Sequence, residues 1–258
     1  PFYRGSPNPI AAMNRLRLIL VVLGLAGIPG WAADAPHASR APNERPVRPN
    51  VLMIISDDQA WGDYGFMGHP HLATPNLDRL AGQGLTFDRG YSPVPLCRPS
   101  LASIITGLYP HQHGVTGNDP DLPDPGVNAM AARGNAKYAR YYETIIQNFQ
   151  RRPNLVRDLV SSGYLALQTG KWWEGDPRKT AGFTHAMTRG DGPGDRHGGA
   201  GLTIGRNGLD PIYEFIDQAQ DRPFFVWYAP FLPHAPHTPP DPLLRKYLPL
   251  APTEPVAR

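Results

Sequence analysis

Three short apolar runs constrain the fold of this chain more than any other feature: Asn50-Val-Leu-Met-Ile-Ile-Ser56, Tyr164-Leu-Ala-Leu-Gln168 and Pro223-Phe-Phe-Val-Trp-Tyr-Ala229. Each is continuous rather than alternating, which is the pattern of a strand buried on both faces of a parallel sheet. Helical signals lie between them. Thr74 reads as an N-cap, with Pro75 and Asp78 in the first turn and Gly84 as a stop. Residues 99–106 read as a helix ended by Gly107, and 139–149 as another. A fourth spans the Leu155, Val156, Leu159, Val160 spacing up to Gly163, and a fifth runs from Pro211 to Ala219. Thr86-Phe87 reads as a further short strand. Strands alternating with helices predict an α/β fold with a central, mainly parallel sheet flanked by helices.

Composition and charge narrow the function. The 31 Pro and 27 Gly are scattered, so the chain is loop-rich rather than repetitive, as in the aperiodic segment 117–136. A single Cys excludes an intramolecular disulfide framework. The net charge of +3 belongs to the N-terminus. Met13 opens a basic region with Arg15 and Arg17, followed by the apolar stretch Leu18–Ile28 and small residues around Ala32 and Ala35. This is the layout of a cleaved export signal, and the stretch is shorter than the ~20 residues of a membrane span. Residues 1–12 then read as upstream sequence, 13–33 as the signal peptide, 34–48 as a Pro-rich linker and 49–258 as the functional domain. Residues 1–33 hold Arg4, Arg15 and Arg17 and no acid, so the remainder is formally neutral. The expectations are a periplasmic or secreted protein, no stable membrane span after cleavage and no nucleic-acid partner.

In open α/β sheets, ligands bind beyond the C-terminal ends of the strands. Those ends carry Asp57-Asp58, Thr169-Gly170-Lys171 and Pro233-His-Ala-Pro-His237. Adjacent carboxylates repel, and a hard divalent cation, Ca²⁺ or alternatively Mg²⁺, offsets that; a solvated loop or helix cap is the other reading of the pair. Cys97 lies in Pro95-Leu-Cys-Arg-Pro-Ser100, just ahead of a helix N-terminus, a place that favours anions.

With these residues in place, the chain resembles the type I, formylglycine-dependent sulfatases of the alkaline phosphatase superfamily, over residues 48–240. Arg48 to Asp58 resembles the opening strand and metal acids, and Thr74 to Ala81 the first helix. Cys97-Arg-Pro-Ser-Leu-Ala-Ser-Ile-Ile-Thr-Gly-Leu-Tyr-Pro-His111 resembles the nucleophile signature, Thr169-Gly-Lys-Trp172 the lysine motif, and 223–239 the last strand and histidine motif. The resemblance implies an alkaline phosphatase-like sandwich, of which this chain is expected to be an N-terminal portion lacking the C-terminal part. It implies that a formylglycine-generating or sulfatase-maturing enzyme oxidises Cys97 to formylglycine, whose hydrate attacks the sulfur of a sulfate ester. It implies catalytic roles for Cys97, Lys171 and His237, a Ca²⁺ site at Asp57, Asp58 and residue 97, and a sulfated small molecule or glycan as substrate. Alternatives are a phosphoester or phosphonate hydrolase of the same superfamily, and a non-catalytic remnant that binds sulfated glycans.

The chain departs from the family pattern at several places. Leu101 stands where the signature has Arg, and Trp173 where the lysine motif has His. The expectation is that another cation, such as His111, His113 or a residue of the C-terminal part, fills the place of the missing guanidinium, and that Trp173 packs on a sugar or fills space. The later Asp-Asn pair and second lysine of the family have no counterpart after His237.

Overall fold

The computed structural model describes residues 48–121, 135–190 and 197–249. The readings of 1–12 and 13–33, nearly all of the 34–48 linker and most of the 117–136 loop lie outside these residues. The three apolar runs become β1 (Val51–Ile54), β2 (Leu165–Gly170) and β4 (Phe224–Ala229), joined by a two-residue strand β3 (His185–Ala186). The order is β1-β4-β2-β3 and every pairing is parallel, with Val51 opposite Phe225 and Leu165 opposite Phe224.

The helices are α1 (Pro75–Gln83), α2 (Cys97–Thr106), α3 (Pro110–His113), α4 (Ala136–Gln150), α5 (Leu155–Ser161), α6 (Pro177–Thr180), α7 (Asp210–Ala219) and α8 (Asp241–Tyr247). Local chemistry sets their starts. Asn135 Oδ1 accepts from the Tyr138 N–H at α4, and Asn154 Oδ1 from the N–H groups of Val156 and Arg157 at α5. Thr74 holds the N-cap position of α1 without a side-chain cap. Its hydroxyl instead donates to Asp78 Oδ1 at 2.7 Å and accepts from the Gly65 N–H. Thr86-Phe87 forms no strand: no described strand lies alongside to take its backbone groups, and Phe87 is exposed.

The two-residue period of the strands splits the core between the faces of the sheet. Phe225 and Trp227 of β4 pack with Ala102 and Ile105 of α2, Phe149 of α4 and Val156 of α5. Val226, one residue on, faces Ile212 and Phe215 of α7 with Leu165 and Leu167 of β2. Complete burial of Phe225 and Val226 contributes about 1.5–3 kcal/mol each. Apolar helix stripes thus cover both faces, which is why β2 and β4 read as continuous runs.

All strands being parallel, their C-terminal ends share one edge. The chain after β1 and the chain after β4 stay paired past the sheet, the Asp57 N–H donating to Leu232 O at 2.9 Å, with a parallel bridge between Asp57 and Pro233. Lys171 follows β2 directly, its N–H donating to Ala229 O at 2.7 Å. These backbone bonds fix where the acids, the lysine and the 230–238 loop meet.

Candidate active site

A cavity of about 570 Å³ opens at this edge, lined by Asp57, Asp58, Cys97, Asn118, Lys171 and His234 among others. That volume lies in the range of small-molecule ligand pockets. Asp57 is its hub. Its Oδ2 accepts from Lys171 Nζ at 2.6 Å, and its Oδ1 accepts from the Cys97 thiol at 3.5 Å. Gly170 brings Lys171 this close: its φ is +75°, and a Cβ there would lie 1.9 Å from Ala229 O.

Cys97 is the first residue of α2, not ahead of it, because the helix begins two residues before Pro99. The thiol is half-buried. Burial raises its pKa above the ordinary value, Lys171 opposes the shift, and the charges of Asp57 and Asp58 reinforce it. A thiol so placed is protonated at neutral pH and is a poor thiolate nucleophile. Asp57 stands as hydrogen-bond acceptor to the group at residue 97.

Lys171 is nearly buried, its side chain 4% exposed. Its ammonium stands 4.8 Å from the Phe231 ring centroid, and Phe231 stacks on His234 at 4.2 Å. His234 Nε2 lies 3.4 Å from Asp58 Oδ2. Asp58 itself has φ +58°, a left-handed conformation uncommon outside Gly, Asn and Asp.

The structure brings together Asp57, Asp58, Cys97 and Lys171. His237 is exposed and does not line the cavity. The loop histidine that does is His234. Arg206 holds that loop from outside, donating to Phe231 O at 3.1 Å and to Thr238 Oγ1 at 2.6 Å. Residues 234–236 and 237–239 both read His-x-Pro, so spacing alone offers no choice between them.

Neither His111 nor His113 takes the place of the missing guanidinium. His111 is exposed, stacked on Tyr109, and His113 is fully buried, with Nε2 3.0 Å from Ser103 Oγ; neither lines the cavity. Leu101 lines it and packs against the core. Trp173 is buried, so it fills space rather than receiving a sugar. Sequence reasoning missed Glu174, whose carboxylate takes both Nε and Nη2 of buried Arg98, at 2.7 and 2.8 Å. It also missed Asn118, whose Oδ1 accepts from the Arg98 N–H. The signal for Glu174 was an acid directly after the lysine motif.

Asp57 and Asp58 offer oxygen donors of the kind Ca²⁺ takes, and an oxygen at residue 97 would extend the set. They fit as part of a Ca²⁺ site, which takes 6–8 oxygens. The thiol as it stands does not belong to such a set.

A model of the Sulfatase family matches residues 49–248. The dog N-acetylgalactosamine-6-sulfatase is 29% identical over 263 residues, covering 88% of this chain and 45% of that protein. Bovine arylsulfatase A is 38% identical over 153 residues, 59% of this chain and 24% of that protein. The chain thus spans less than half the length of these curated relatives. Among solved structures, a Bacteroides fragilis protein described as a sulfatase superposes with a TM-score of 0.59 at 20% identity, over 83% of this chain and 50% of that one. A protein solved with its substrate D-glucosamine-2-N,6-O-disulfate gives 0.55 at 21% identity, over 81% and 39%. The fold is therefore the alkaline phosphatase-like one expected, and the chain belongs to the Sulfatase family.

Proposed function

We propose that this chain hydrolyses sulfate esters of carbohydrates, with residue 97 acting after conversion of the cysteine to formylglycine and with Ca²⁺ at Asp57 and Asp58. The observation that carries the reading is the convergence of Cys97, Lys171 and Asp57 in one cavity, with Asp57 within 2.6 Å of the lysine and 3.5 Å of the sulfur. The converted residue would supply a nucleophilic hydroxyl, and the cation would neutralise charge on the sulfate oxygens.

The chain's own residues do the rest. Asp57 Oδ1 accepts the hydrogen bond of the group at residue 97 and orients it. Lys171, held between Asp57 and Phe231, presents its ammonium to the anionic ester and stabilises negative charge as it moves to the leaving oxygen. His234, half-buried at the cavity wall, is the histidine from which a proton would reach that oxygen. Its partner Asp58 holds the ring in place. The sugar assignment draws on the N-acetylgalactosamine-6-sulfatase relatives. Export to the periplasm or outside the cell, and a formylglycine-generating partner, complete the proposal; the basic and apolar segment 13–33 supports the first and Cys97 in its signature the second.

The test is coexpression with a formylglycine-generating enzyme, mass analysis of the peptide carrying residue 97, and sulfate release from aryl and sugar sulfates beside matched phosphates. Conversion with release of sulfate alone supports the reading. Conversion with release of phosphate alone moves the chain to the phosphoesterases, and conversion with no release of either contradicts the proposed chemistry.

A further inference from the structure

Before conversion the cavity holds a donor set different from the one Ca²⁺ takes. Cys97 Sγ, a carboxylate oxygen of Asp57 and a ring nitrogen of His234 all lie within 4.8 Å of one another. Sulfur, nitrogen and oxygen together are the ligands of borderline ions such as Zn²⁺, whereas hard Ca²⁺ takes oxygen alone.

The geometry supports the same choice. Tetrahedral Zn²⁺, with bonds of about 2.3 Å to sulfur and about 2.0–2.2 Å to nitrogen and oxygen, spaces its ligands roughly 3.3–3.7 Å apart. The edge from Cys97 Sγ to Asp57 Oδ1 is already 3.5 Å. The other carboxylate oxygen, Oδ2, is the one engaged by Lys171, which leaves Oδ1 facing the sulfur. His234 belongs to the loop after β4; its Nδ1 is hydrogen-bonded to Ala235 O at 2.6 Å, which leaves Nε2, beside Asp58 Oδ2, as the nitrogen to ligate. Charge also balances: a thiolate and the carboxylates of Asp57 and Asp58 stand against Lys171 and one divalent ion, leaving the cluster formally neutral.

We propose that the unconverted chain binds a zinc-class divalent ion through Cys97, Asp57 and His234, and that conversion of Cys97 abolishes this site by removing the sulfur. Binding forms the metal–sulfur bond and releases the thiol proton to solvent, with no redox change. The first half stands on the thiol form alone; only the second rests on the conversion proposed above. The consequence is a change of metal preference on maturation, from an N/O/S ion to an oxygen-seeking one.

The probe is Co²⁺, added to the chain purified with a free thiol, in the absence of any maturing enzyme. The expected result is a near-ultraviolet thiolate-to-cobalt charge-transfer band with the intense visible absorption of a tetrahedral ion. It saturates at one ion per chain, is displaced by Zn²⁺ and is insensitive to excess Ca²⁺. Cys97→Ser removes the charge-transfer band, His234→Ala weakens binding by about tenfold or more, and His237→Ala leaves it unchanged. Alkylating Cys97 in the folded parent gives the same loss, and serves if Cys97→Ser fails to fold by circular dichroism. Absence of the band, its survival without the thiol, or equal affinity in His234→Ala overturns the proposal. No substrate enters this measurement, so its failure is separate from a failure of sulfate hydrolysis by the converted chain.

Discussion

Arg98 turns its side chain away from the cavity that Cys97 lines and closes a two-pronged ion pair with Glu174. The side chains are 0% and 5% exposed. The guanidinium also lies 4.4 Å from the centroid of the Tyr142 ring. One partner directly follows the candidate nucleophile and the other stands three residues after Lys171, so the pair ties α2 to the segment beyond β2. Arg98 is therefore structural, and does not stand in for the arginine that Leu101 replaces.

Removing one member of this pair strands a buried charge. Glu174→Leu alone is expected to cost about 3–5 kcal/mol of unfolding free energy, and Arg98→Met with Glu174→Leu to recover most of it. Urea unfolding of the two variants checks this; equal losses in both would show that the pair contributes net stability of its own.

Gly170→Ala is expected to destabilise by about 3 kcal/mol or more, since the new Cβ meets the Ala229 carbonyl and φ is positive. Thermal unfolding reads the loss. A melting temperature equal to the parent's would show that β2 and β4 accommodate the added methyl without cost.

His113 sets a pH dependence. Burial, the largest influence, pushes its imidazole below the ordinary histidine value; Glu174 opposes this, while Arg152 and His111 add to it. The Val115 N–H donates to Nδ1, so the ring is neutral, with Nε2–H donating to Ser103. The unfolded chain therefore binds the proton at higher pH than the folded one. Stability is full above about pH 6.5 and falls as pH drops below it toward the depressed folded value. In His113→Gln that part of the pH slope disappears, measured by urea unfolding between neutral and mildly acid pH. An unchanged slope would assign the dependence to other groups.

For the converted protein, His234→Ala is expected to lower kcat about 10²–10⁴-fold and His237→Ala to leave it near the parent value. Lys171→Met is expected to cost about 10²–10³-fold in kcat. Steady-state kinetics on one aryl sulfate separates these. A large loss in His237→Ala with none in His234→Ala would reverse the assignment of the histidine.

Much of this was legible in the residues. The runs at 165–170 and 224–229 declare themselves because strands packed on both faces are largely apolar, and parallel pairing then fixes which ends carry the site. The run at 51–54 departs from that expectation, since β1 ends the strand order and one of its faces is open among the described residues, with Leu52 51% and Ile54 54% exposed. β3 was not legible: two residues, His185 and Ala186, carry no period, and they pair only because β2 is beside them. α3 and α6 are single turns set by local proline and cap chemistry. In the site, Asp57, Cys97 and Lys171 sit at element ends whose positions follow from topology. His234 sits on a loop whose course is set by distant contacts such as Arg206 with Thr238, and such contacts leave no local pattern.

The most direct test of the central claim is sulfate release from an aryl sulfate by the chain carrying formylglycine at residue 97, compared with Cys97→Ala prepared identically. Turnover is expected in the first and falls to background in the second. Equal release by both, or none by a chain shown by mass to be fully converted, would contradict that claim.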